Sequence, residues 1–73
     1  MKKEEAKREL KRITDEALQI GSSFVEETSE PREYYIYTEV WTLTAEQLDQ
    51  IRSKVTITSI TVDGGRIMLT AKF

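Results

Sequence analysis

Apolar residues recur along the first twenty positions in a helical rhythm. Ala6, Leu10, Ile13, Ala17 and Ile20 are separated by four, three, four and three residues, which keeps them on one side of an α-helix. The spacing predicts a helix over 2–20. Gly21 follows as the expected stop, since it takes a left-handed backbone without strain. Leu18 falls off the stripe and is expected to be half exposed.

The pattern then changes to one of strands. Two are expected, over 23–29 and 34–41, joined by a turn through Ser29, Glu30, Pro31 and Arg32. Pro31 belongs in that turn because it cannot donate a ladder hydrogen bond. Residues 34–41 are rich in aromatic and β-branched side chains, which suit a pleated surface. Alternation sets Tyr34, Ile36 and Val40 on one side, and Tyr35, Tyr37 and Trp41 on the other. The segment from Phe24 to Thr28 is weaker and more acidic, and reads either as an edge strand or as a partly irregular stretch.

A second helix is expected over 45–54. Thr44 and Gln47 have the spacing of a capping box, with Leu43 and Leu48 placed for a hydrophobic staple. Leu48, Ile51 and Val55 supply its apolar stripe. Residues 56–63 and 66–73 then read as a hairpin about Gly64-Gly65, since both glycines accept a positive φ. That loop aligns Val62 with Ile67, Ile60 with Leu69, Thr58 with Ala71 and Thr56 with Phe73. The other face takes Asp63 with Arg66, Thr61 with Met68, Ser59 with Thr70 and Ile57 with Lys72.

The element order α-β-β-α-β-β predicts a two-layer α+β fold in one domain, residues 1–73. Its sheet is four-stranded and mainly antiparallel, with both helices on one face. The chain is 38% apolar, enough for a core. A domain this short buries only about 60% of the surface its unfolded chain exposes. Two helices leave the second sheet face without a cover.

Residues that are absent narrow the chemistry. The chain has no Cys and no His, so thiol redox chemistry, Cys/His zinc binding and Ser–His or Cys–His catalysis have no residues to use. No cofactor, no metal site and no enzymatic activity are expected. The N-terminus is charged where a signal peptide is apolar, and no apolar run nears the ~18 residues of a membrane span. A cytoplasmic protein without membrane contact is the expectation.

The remaining candidates are surfaces. Tyr35, Tyr37, Trp41 and Met68 are expected together on the open sheet face. Aromatic residues and Met are enriched at protein interfaces, so these four predict a non-catalytic protein–protein interaction module that docks either a second copy, as a homodimer, or another protein. Trp41→Ala is then expected to weaken association more than folding. The second candidate is the N-terminal helix, where Lys3, Lys7 and Lys11 flank the apolar stripe. A basic flank of this kind suits an anion or nucleic acid. The alternative there is a solvated helix with i,i+4 pairs such as Glu4–Arg8; base stacking on the sheet tyrosines is a separate nucleic-acid reading, disfavoured because Glu26, Glu27, Glu33 and Glu39 are the strand residues nearest them. The acidic group Glu26, Glu27, Glu30 and Glu33 has no calcium-loop spacing and reads as a solvated hairpin.

Overall fold

The computed structural model describes residues 2–73; Met1, the first residue of the expected domain, lies outside the described residues. Two helices, α1 (Lys3–Leu18) and α2 (Ala45–Arg52), accompany four strands: β1 (Phe24–Glu27), β2 (Glu33–Tyr37), β3 (Thr56–Asp63) and β4 (Arg66–Lys72). All neighbouring strands are antiparallel, in the order β1-β2-β4-β3. This is the expected α+β architecture, with both helices packed on one face of the sheet.

The core lies between the layers. From α1 come Ala6, Leu10, Ile13 and Ala17; from the sheet Tyr34, Ile36, Ile67, Leu69 and Ala71; and from α2 and the segment after it Ile51 and Val55. Leu10, Ile36, Ile51 and Leu69 are wholly enclosed, and each such side chain stabilises the fold by about 1.5–3 kcal/mol relative to exposure. Tyr34 and Ile36 therefore face inward, as the alternation of β2 predicts.

The start of α2 follows its sequence. Gln47 N–H donates to Thr44 Oγ1 at 3.1 Å and Thr44 N–H donates to Gln47 Oε1 at 2.9 Å, completing the capping box. The end of α1 departs from expectation. The left-handed residue is Gln19 (φ 56°, ψ 47°), not Gly21, and its N–H bonds to the Asp15 carbonyl. Leu18 is buried rather than half exposed. It lies outside the apolar cluster that the stripe joins, so the covered surface of α1 is wider than that one row.

The β3–β4 hairpin carries a second correction. Val62↔Ile67, Ile60↔Leu69, Thr61↔Met68 and Ser59↔Thr70 pair as expected, but the register then shifts. Ile57 pairs with Ala71 and Thr56 with Lys72, leaving Thr58 as the extra residue of a β-bulge. A regular strand would turn Ile57 to the open face. The bulge changes its parity and packs it against the core. Thr58 Oγ1 in turn donates to the Thr70 carbonyl at 3.2 Å.

β2 is also shorter than expected and ends at Tyr37. Beyond it, Thr38 N–H and Oγ1 both donate to the Ile67 carbonyl, at 3.1 and 2.7 Å, and Ile67 N–H donates to the Val40 carbonyl at 3.0 Å. The chain thus stays beside β4 while leaving regular alternation.

Two local features set tests of this packing. A non-glycine residue in the left-handed region costs roughly 1 kcal/mol, so Gln19→Gly is expected to raise stability by up to about that amount in urea unfolding. Thr14 is fully buried, and its hydroxyl has no partner among the described residues. Thr14→Val removes that unsatisfied group, and thermal unfolding is expected to show a gain of about 1 kcal/mol.

Candidate interaction surface

The strand register defines the open face as rows. Phe24 pairs with Tyr37, Tyr37 with Met68 and Met68 with Thr61, one row across all four strands. The next row runs Glu26, Tyr35, Thr70, Ser59. The Phe24 and Tyr37 rings are tilted with centroids 6.3 Å apart, and Tyr35 meets Tyr37 edge-on at 6.4 Å. Both are favourable aromatic geometries. Phe24 is 57% exposed, while Tyr35, Tyr37 and Met68 are half-buried by their own neighbours on the sheet.

Three of the four residues expected on this face are together: Tyr35, Tyr37 and Met68. Trp41 is not in the row, because β2 ends before it. It lies by the β3–β4 turn, 70% exposed, with its ring against Gly65. A Cβ on Gly65 would meet that ring at 3.2 Å, and Gly65 also has φ +83°, so both the turn and the ring favour glycine there. Phe24 takes the place that Trp41 was expected to hold. The acidic character of β1 masks it in the sequence, although its register with Tyr37 follows from the β1–β2 turn.

The electrostatics of the face are acidic. Glu26, Glu33 and Asp63 lie on it by register, and Glu39 beside it holds Arg66 at 3.3 Å. Burial raises the Tyr37 phenol above its ordinary pKa, and the carboxylates of Glu26 and Asp63 add to the effect. Tyr37 is therefore a neutral hydroxyl at physiological pH, able to donate or accept a hydrogen bond.

The lysine flank of α1 is engaged within the chain. Lys3 Nζ lies 3.0 Å from Glu27, while Lys7 Nζ lies 3.1 Å from Glu4 and 3.9 Å from Glu27. The Glu27 carboxyl is held below its ordinary pKa by the Lys3 hydrogen bond above all, with the Lys3 and Lys7 charges adding to it. Lys11 Nζ donates to Asp15 Oδ2 at 2.9 Å, to the Ser23 carbonyl at 2.8 Å and to the Gly21 carbonyl at 3.1 Å. Asp15 Oδ1 accepts the Ser23 N–H at 3.1 Å. This Lys11–Asp15–Ser23 clamp ties the last turns of α1 to the chain leading into β1. The opposite flank is paired too, with Arg12 bonded to Glu9 and Glu16. Glu26, Glu27, Glu30 and Glu33 do not converge as ligands, and no metal-holding group of carboxylates occurs among the described residues. Among the described residues, no helix is long and apolar enough to cross a membrane.

No protein-family model, no curated protein and no solved structure matches this chain.

The clamp generates a pH dependence. Burial works to raise the Asp15 carboxyl, but hydrogen bonds from Ser23 and Lys11 outweigh it and hold its pKa below the ordinary value. A carboxyl depressed in the folded state contributes stability above its unfolded pKa and loses it as pH falls toward the folded one. Stability is therefore expected to decline as pH drops below roughly 4. Comparing urea midpoints of wild type and Asp15→Asn across that range checks this: the variant is expected to be less stable at neutral pH, with the difference shrinking in acid.

Proposed function

We propose that this domain is a small non-catalytic protein–protein interaction module that self-associates through its open sheet face. The carrying observation is the row Phe24–Tyr37–Met68 with Tyr35 beside it, on a face that neither helix covers. Stacked sheets pack about 10 Å apart through side chains of this kind. The molecule measures 29 × 22 Å in its two longest dimensions, a footprint of at most about 640 Å², which reaches the lower end of the ~600–1,000 Å² per partner of a standard interface. A second copy supplies a surface of the same shape and aromatic content, as a two-fold interface requires.

Recognition of a nucleic acid has weaker support. Base stacking on sheet aromatics needs neighbouring cations for the phosphates, and here the neighbours include Glu26, Glu33 and Asp63. Lys3, Lys7 and Lys11 already hold carboxylates or carbonyls.

Sedimentation equilibrium tests the proposal. Tyr37→Ser is expected to weaken self-association at least tenfold, about 1.4 kcal/mol, with the far-UV circular dichroism unchanged. Unaltered association in a folded Tyr37→Ser protein would remove the open face as the interface.

A further inference from the structure

The sheet has two free edges, β1 and β3, and their chemistry differs. β1 is four residues long and carries Glu26 and Glu27. β3 is eight residues long, and its stretch Thr56–Val62 contains no charge and no proline. Open edges are normally guarded by charge, proline, shortness or a bulge. The guard on β3 is the bulge at Thr58, near one end, which leaves Ser59–Asp63 in regular register with β4.

The hairpin turn decides which backbone groups point outward. Gly64 and Gly65 have φ of +62° and +83°, the pair of positive values of a two-residue type I′ turn. Such a turn closes on a mutually hydrogen-bonded pair, here Asp63 with Arg66. Strict alternation then directs the N–H and C=O of Thr61 and Ser59 toward β4, and those of Val62 and Ile60 toward the free edge. The same two residues have exposed side chains, 45% for Ile60 and 72% for Val62. Their partners Leu69 and Ile67 are buried, so these side chains stand on the helix side of the sheet. α2 does not roof them: its eight residues span about 12 Å, and it meets the sheet through Ile51 and the following Val55, at the other end of β3.

We propose that β3 pairs antiparallel with β3 of a second copy, about a two-fold axis at Thr61, to form one eight-stranded sheet. In this register Ile60 lies opposite Val62 of the second copy, and Val62 opposite its Ile60. Both are outward-facing positions, so four backbone hydrogen bonds form and the four aliphatic side chains close on one another. Ser59 falls opposite Asp63, so no like charges are set face to face. Self-pairing of β1 would instead gather four carboxylates along one edge. Pairing of β3 with β1 of another copy is head-to-tail and leads to open-ended growth. The inference rests on the self-association proposed above but uses a different surface, and the two contacts are compatible: face and edge together give a tetramer of two stacked sheets.

The test is amide hydrogen exchange on the full chain, by NMR, at concentrations where sedimentation shows monomer and where it shows assembly. The Ile60 and Val62 amides are expected to exchange at least tenfold more slowly in the assembled protein. Ile60→Lys is expected to abolish both that protection and one step of assembly, while Tyr37→Ser keeps the protection. Val62→Lys, at the more exposed position, repeats the test if Ile60→Lys is unfolded by circular dichroism. Fast exchange of both amides in an assembled wild type overturns the edge contact, and if Tyr37→Ser is then monomeric the face contact stands alone. Protected edge amides in a Tyr37→Ser protein that assembles as far and as tightly as the wild type uphold the edge contact and remove the face. A wild type that stays monomeric at millimolar concentration, or that grows without limit, overturns the β3–β3 pairing.

Discussion

The structure depends on one layer: the apolar stripe of α1 packed on the inner face of the sheet, where Leu10, Ile36 and Leu69 share one core. These three side chains are completely enclosed, and each joins a different element. A chain of 73 residues has enough apolar material for one such layer. Its second helix is only eight residues long, so the roof is narrower than the floor. The uncovered aromatic row on one side, and the uncovered aliphatic pair at the β3 edge, both follow from that shortage.

Charged side chains organise the periphery without making a charged site. Lys3 and Lys7 lean on Glu27 and fasten the start of α1 to β1. Lys11 and Asp15 fasten its far end to the chain before β1. Exposed pairs of this kind contribute little energy singly. Their effect here is positional: they set the direction in which α1 crosses the sheet and occupy cations that would otherwise attract phosphate. A reading of α1 as an anion-binding helix sees the lysines but not the carboxylates that the fold brings to them.

Much of the fold was legible because local signals agreed with each other. The capping box at Thr44 and Gln47, the glycine pair at the hairpin and the three-and-four spacing of α1 each have a short-range cause, and the structure contains all three elements. The misjudged positions have long-range causes. Leu18 is buried although it lies off the apolar stripe, which no pattern within α1 reports. Gln19 takes the left-handed turn ahead of Gly21 because the clamp between Asp15 and Ser23 draws the chain over early. The Thr58 bulge did have a signal: Ile57, Ile60 and Val62 are three and then two residues apart, a spacing no regular strand can hold on one face. Of the candidate site, Tyr35, Tyr37 and Met68 followed from alternation. Trp41 did not, because alternation stops where Thr38 bends the backbone to stay bonded to Ile67.

That bend leaves the chain's one tryptophan resting on Gly65 at the tip of the hairpin, largely in water. Its indole is thus an intrinsic fluorophore positioned where β3 and β4 meet. Opening of the hairpin tip would be recorded in its emission separately from melting of the core, which contains no indole, so local fraying and global unfolding can be followed optically in the unlabelled protein.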